Sequence, residues 1–432
     1  MFDFSSYALS IIQLLLIIAI IYFEYSRKSA SVFLWAMLFL LFGIMHCKTV
    51  FTRANEFPVW VYDSASVFVI CFCVIYLLTR IVFCPVYTIR LPKFTEENNL
   101  TDGNKRFLNI TIIILSLTVA YRVYAVASFS GGLLNTSWSM GRDASASKDY
   151  FSEDQVIICL YNYACSAILL SIFYKKRIQA IYCILLVFFC AIITRNRIVF
   201  LPILVSIIAY YLYNGTRLSL KKILILLGIG AFSILVIYAL QIFRYYGNFI
   251  QLYEQFDIND FDSKILTNIS NDKGDIGLRE VFYYFIYNNN NFENFGKGHS
   301  YIRLFLVFLP TSYSGGLKPP DFAISMGTAM NTGIKGFSTH PTLFGDCYAN
   351  FGYYGVFLGI FWAGFMQIFD FLINKQKRLE IKLCLIMLCG NAYIIIGRGS
   401  VYNAYIWMIY GIILMFISRY FAHSCKRKNI RI

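Results

Sequence analysis

The stretch Ser338-Thr-His-Pro-Thr-Leu-Phe-Gly-Asp-Cys-Tyr-Ala-Asn-Phe-Gly-Tyr-Tyr-Gly355 gathers an imidazole, a carboxylate, a phenol and an amide: His340, Asp346, Tyr348 and Asn350. His340 precedes Pro341, which holds its backbone extended and outside any helix. Asp346 falls about one turn further on. An imidazole and a carboxylate so placed could take the proton of a hydroxyl group; the plainer reading is that His340 only caps the start of the next helix. A second set is cationic. Arg122 lies in Ala-Tyr-Arg-Val-Tyr, Arg195 and Arg197 in Thr-Arg-Asn-Arg, and Arg398 in Gly-Arg-Gly-Ser, each within or beside an apolar run. Arg142 and Arg303 stand in the expected outer loops, Arg303 within the short apolar run 301–311. Guanidinium groups suit bidentate capture of phosphate or diphosphate. Charge at such depth usually faces a cavity or an anionic ligand, although an arginine can also reach out to lipid headgroups.

The elements that must position these residues follow from composition. The chain has 432 residues, of which 58% are hydrophobic and 14% charged, with a net charge of +15 and a mean hydropathy of +0.61. Soluble domains carry about a quarter charged residues, so the surroundings must be partly apolar. An all-α polytopic membrane protein is expected. Apolar runs long enough to cross lie near 6–24, 31–47, 59–79, 107–127, 155–174, 178–194, 198–214, 223–242, 351–373, 383–397 and 401–419, which makes about eleven spans of about 20 residues. The run 301–311 is too short to cross and reads as interfacial or re-entrant. This divides the chain into spans within 1–242, a large outer loop over 243–350 with short amphipathic pieces such as 278–287, and spans with a basic tail over 351–432.

Loop charge sets direction, since Lys and Arg near span ends stay cytoplasmic. The connections holding Arg27-Lys28, Arg80 to Arg106, Lys175-Lys176-Arg177, Arg217 to Lys222 and Lys375 to Lys382, together with the tail, fall on one side only if the N-terminus is outside and the C-terminus inside. An odd number of spans supplies that parity. Gly355, Gly359 and Gly364 in the late span permit close helix packing.

Other chemistries find little support. The 12 cysteines lie mostly inside apolar runs and act as small hydrophobes. The acidic stretch Asp257–Asp262 lacks the glycine and terminal glutamate of a calcium loop. Walker-type, Gly-x-Ser-x-Gly and His-Glu-x-x-His motifs are missing from the sequence, as are internal repeats. The first apolar run has no basic leader or small-residue cleavage site, so no cleavable signal is expected.

At these residues the chain resembles the bacterial O-antigen (Wzy-type) polymerases and, more broadly, the oligosaccharide repeat-unit polymerases. The resemblance is carried by Phe344-Gly-Asp-Cys-Tyr-Ala-Asn-Phe-Gly-Tyr-Tyr-Gly355 opening a late span, by Tyr301-Ile-Arg303, Leu309-Pro310 and Lys318-Pro319 upstream, and by Arg195-Asn-Arg197 between mid-chain spans. Members of that family often carry Glu where Asp346 stands, and many lack a histidine at 340. The resemblance implies a GT-C-like membrane glycosyltransferase of lipopolysaccharide biosynthesis in the bacterial inner membrane, with its active site facing the periplasm. Its substrates would be undecaprenyl-diphosphate-linked oligosaccharides. The growing glycan would pass to the non-reducing end of a new lipid-linked unit, with no cofactor or metal.

Arg195, Arg197 and Arg303 would clamp the donor diphosphate, with Arg122, Arg142 and Arg398 in reserve. His340, or failing it Asp346, would serve the acceptor hydroxyl, and Tyr348 and Asn350 the sugars. The phospholipid membrane is the implied setting, with a chain-length regulator and a flippase as candidate partners and nucleic acid excluded. The alternatives are an O-antigen ligase, a flippase or transporter of the lipid-linked oligosaccharide, and a membrane scaffold.

Overall fold

The computed structural model describes residues 4–52, 56–85, 101–136, 153–213, 248–257, 263, 276–292, 296–309, 313–330 and 338–428, with scattered positions between 224 and 243. Arg142, most of the run 223–242 and most of the acidic stretch near 257–262 lie outside the described residues. The described chain is all-helical, with 83% helix and no strand among those residues. Lipid offers the backbone no hydrogen bonds, so a spanning segment must satisfy its own.

In chain order the helices are α1 (Phe4–Ser26), α2 (Val32–Thr52), α3 (Val59–Val82), α4 (Asp102–Phe129), α5 (Val156–Phe173), α6 (Arg177–Thr194) and α7 (Arg197–Tyr213). Short helices α8 (Phe249–Gln255), α9 (Arg279–Tyr287), α10 (His299–Phe305) and α11 (Phe322–Ala329) follow. The chain then runs through α12 (Thr342–Phe351), α13 (Leu358–Lys375), α14 (Leu379–Arg398) and α15 (Val401–Lys428). Among the described residues nine helices are long and apolar enough to cross a membrane. They coincide with nine of the expected runs. The run at 198–214 forms the 17-residue α7, about 25 Å long. The run expected from 351 starts earlier, because α12 and a 3-10 turn over Gly352–Phe357 lead into α13. α9 matches the amphipathic piece expected at 278–287.

The helices form two compact units that interleave along the chain. One comprises residues 1–89, 273–375 and 392–406; the other comprises 90–272, 376–391 and 407–432. In the first unit, the last turns of α1, α3 and α13 meet through Glu24, Arg80 and Asp370, so these three helices run parallel. α2 runs the other way, since His46 near its end meets Ser66 near the start of α3. The parallel set agrees with the orientation read from loop charge.

Gly359 of α13 is in close contact with α3: a Cβ there would stand 2.9 Å from the Phe72 carbonyl oxygen. A Cβ on Gly355 would collide with the Cys347 carbonyl, whereas one on Gly364 meets nothing within 4 Å. Two of the three expected packing glycines therefore have a steric reason. Within α2 a π-helical turn, Phe39–Ile44, is braced by the Gln13 side-chain amide, which donates to the Phe42 carbonyl at 2.5 Å.

The second unit packs α4, α5, α6 and α7 around a core that includes Leu115, Tyr161, Cys165, Val187, Cys190 and Ile203. Its described cysteines, Cys159, Cys165, Cys183, Cys190, Cys384 and Cys389, are buried hydrophobes, as expected. Thr101 caps α4 by accepting from the Asn104 amide.

Candidate functional site

In the first unit the expected catalytic stretch becomes α12, a helix whose residues from Thr342 to Asn350 are all buried. Its start is held by an unusual contact. Thr342 is fully buried with φ +67, a left-handed backbone that β-branched residues avoid. Gly399, in the turn between α14 and α15, packs directly onto it. His340 and Arg398 flank this contact in sequence, and both are half-buried.

One turn into α12, Asp346 is 2% exposed and is held on both oxygens. Ser300 Oγ donates to Oδ2 at 2.8 Å, and Asn350 Nδ2 donates to Oδ1 at 3.3 Å. Asn350 also accepts from the Ser300 backbone amide. The carboxylate therefore pins the start of α10. Asn350, expected to meet sugar, has its amide committed inside the protein. Tyr348 is likewise 2% exposed, its ring packed edge-on against Phe68, Phe282 and Tyr353. Both residues read as supports of α12, because the helix they occupy is enclosed by α3 and α9.

Arg303 lies three residues after Ser300 on α10, and so on neighbouring helical rows. It is 8% exposed, and its guanidinium stacks 4.3 Å from the centre of the Tyr402 ring. Nη1 donates to the Pro319 carbonyl. Among the described residues Nε has no hydrogen-bond partner and no carboxylate pairs with Arg303. The Lys318 ammonium stands 5.5 Å from the same ring and donates to the Leu309 carbonyl at 2.8 Å. Burial first, and then the Arg303 charge, pull the Lys318 pKa down to about 8. Two buried cations thus share one aromatic ring. A buried charge is costly unless it is compensated, and an anion beside the Arg303 guanidinium, whose Nε lacks a hydrogen-bond partner among the described residues, would lower that cost.

The remaining arginines belong to the second unit. Arg195 ends α6 in a left-handed conformation, φ +48, and is 1% exposed. It donates to the Phe243 carbonyl at 2.8 Å and lies 5.0 Å from the Phe249 ring, and burial lowers its pKa. Arg122 stacks 5.0 Å from the Tyr161 ring, and the Tyr161 hydroxyl donates to the Val199 carbonyl. Arg197 opens α7, half-buried. Arg195 and Arg122 are thus held by groups of the second unit.

Two polar clusters in the first unit escaped the sequence reading. His46 is fully buried, with Nδ1 2.6 Å from the Tyr283 hydroxyl and Nε2 2.8 Å from Ser66 Oγ. Arg279, 2% exposed, donates to Thr49 Oγ1 at 2.9 Å close by. The available signals were a histidine inside an apolar run and an arginine opening an amphipathic helix. The other cluster centres on Arg80, one of the charges at the span ends, which also pairs inside the protein. Arg80 is wholly buried: Nε and Nη2 grip Glu24 at 2.8 and 2.6 Å, Nη2 reaches Asp370 at 2.6 Å, and Nη1 donates to Gln367 at 2.5 Å. Tyr76 and Ser29 complete the bonds to the two carboxylates.

Among the described residues no three His, Cys, Asp or Glu side chains come together. Compared with family models, curated proteins and solved structures, the chain matches none.

Proposed function

We propose that this chain is a GT-C-like membrane glycosyltransferase that polymerises undecaprenyl-diphosphate-linked oligosaccharide repeat units at the periplasmic face of a bacterial inner membrane. The observation that carries the reading is the buried Arg303–Lys318 pair over Tyr402. A lipid diphosphate is an anion of the right kind to be held there, beside spans that would accommodate its polyprenyl tail. In the reaction the acceptor hydroxyl attacks the anomeric carbon of the donor. A new carbon–oxygen bond forms as the bond from that carbon to the phosphate oxygen breaks.

The diphosphate departs with the electron pair, and Arg303 and Lys318 hold the charge that develops on it. His340, half-buried and outside the helix, takes the hydroxyl proton. Asp346 is too enclosed by Ser300 and Asn350 to meet an acceptor, so it acts as a positioning residue that fixes α10 and hence Arg303.

The test is purified protein in vesicles with a lipid-diphosphate repeat unit, read as a ladder of products on a gel. Arg303→Ala is expected to shorten or abolish the ladder, with a rate loss of about 100-fold or more, while leaving thermal unfolding near wild type. His340→Ala removes the proton acceptor and is expected to lower kcat more than it raises KM. A normal ladder from Arg303→Ala overturns the reading. Transfer of a glycan to a lipid A-core acceptor, with no ladder, replaces it with the ligase reading.

A further inference from the structure

A second surface lies on the opposite side of α10. Arg303, Leu304 and Val307 face inward, while Ile302, Phe305 and Phe308 are 46%, 84% and 64% exposed. The stripe outlasts the helix, because the chain continues in turns through the Leu306 amide bonded to Ile302 and the Leu309 amide bonded to Leu306. Tyr313 and Leu317, in the turn that delivers Lys318, are exposed as well. Exposed aromatic and aliphatic side chains spaced three residues apart make an apolar edge rather than scattered surface residues.

The neighbours of α10 identify what covers that edge. On its buried side Tyr301 packs edge-on against Phe361, and its hydroxyl accepts from the Trp362 indole at 3.4 Å. Both partners lie in the first turns of α13, a span whose Ile360 and Ile368, with Phe357 just before it, are exposed and must meet lipid. Tyr353 and Tyr354, just before α13, are exposed aromatics of the kind that mark a membrane interface. The apolar edge is therefore continuous with a lipid-facing surface at interfacial depth. Charge agrees: residues 296–309 and 313–320 contain Lys297, His299, Arg303 and Lys318 but no Asp or Glu, which suits a leaflet of phosphate headgroups.

We propose that Ile302, Phe305 and Phe308, with Tyr313 and Leu317, form a membrane-docking edge that enters the acyl region of the leaflet in which α13 begins. Docking sets Arg303 and Lys318 at the depth of the lipid phosphates, so that an anionic lipid headgroup reaches them sideways from the leaflet rather than from water. The surface is a property of the fold and stands or falls separately from polymerase activity.

The test places a benzoylphenylalanine photo-crosslinker at position 305 or 308 of the full chain, in vesicles of phosphatidylethanolamine and phosphatidylglycerol. Position 368 in α13 and position 377 in the α13–α14 connection serve as lipid and aqueous references. After illumination, intact mass is expected to show phospholipid adducts at 305 and 308, at yields within about threefold of that at 368, and none at 377. Adducts to protein at 305 and 308, or no phospholipid adduct there while 368 is labelled, overturn the proposal. The product ladder of the same variants keeps a failure of docking distinct from a failure of the polymerase reading.

Discussion

Gly399 lies against Thr342 so closely that a Cβ on it would stand 2.3 Å from the Thr342 amide nitrogen. Gly399 also has φ +100, and Thr342 itself is held at φ +67. Backbone therefore meets backbone where the α14–α15 turn sets the start of α12. Gly399→Ala is expected to destabilise the protein by about 3 kcal/mol, from left-handed strain added to a clash that no side chain can relieve. Gly364→Ala, with open space around it, is expected to change stability by less than about 0.5 kcal/mol. Thermal unfolding in detergent checks both.

Arg80 ties the ends of α1, α3 and α13 through Glu24 and Asp370. Arg80→Ala leaves two carboxylates buried without a cation and is expected to cost about 3–5 kcal/mol. Arg80→Lys is not expected to restore it, because an ammonium cannot reproduce the fork of bonds to Glu24, Asp370 and Gln367. Yield of folded protein and its unfolding temperature measure the effect.

The Lys318 pKa, about 8 rather than the ordinary 10.5, makes anion capture pH-dependent. The ammonium is charged below about pH 8 and loses its charge above it, so diphosphate affinity is expected to fall as pH rises through 8, by up to about tenfold per unit. Lys318→Arg keeps the charge and is expected to flatten that fall. Stability has the opposite sign: from about pH 8 to 10 the unfolded chain holds a proton the folded one has released, so this lysine's contribution becomes more favourable as pH rises. Binding of a water-soluble diphosphate ester, measured by calorimetry at several pH values, checks the first claim.

His46 bridges α3 and α9 by using both ring nitrogens. His46→Ala strands the Ser66 and Tyr283 hydroxyls in a buried site and is expected to cost about 2–4 kcal/mol, against about 1 kcal/mol for Tyr283→Phe. Limited proteolysis around α9 is expected to accelerate in the first variant more than in the second.

Nine of the helices were legible as apolar runs because lipid imposes a length and a composition on anything that crosses it. The parallel course of α1, α3 and α13 was legible from loop charge alone. The site was less so. Arg303 and the stretch 338–355 were visible as residues with chemical potential, but Lys318 stood out only as part of a segment that carries the family resemblance, and Tyr402, which brings the two cations together, sits in an apolar run among many tyrosines. Arg80 looked like any basic residue at a span end, since its two carboxylates are distant in sequence and only folding brings them within reach.

The sequence by itself determined that this is an all-helical, many-span membrane protein with cations and one His-Asp stretch in its late connections. Those are consequences of composition and spacing, which are local. Tertiary structure alone decided that Asp346 is enclosed and holds α10, that Asn350 and Tyr348 serve packing, and that Arg303 shares a ring with Lys318. Such pairings join helices far apart along the chain, and their identity depends on which faces pack, a property that no single segment carries.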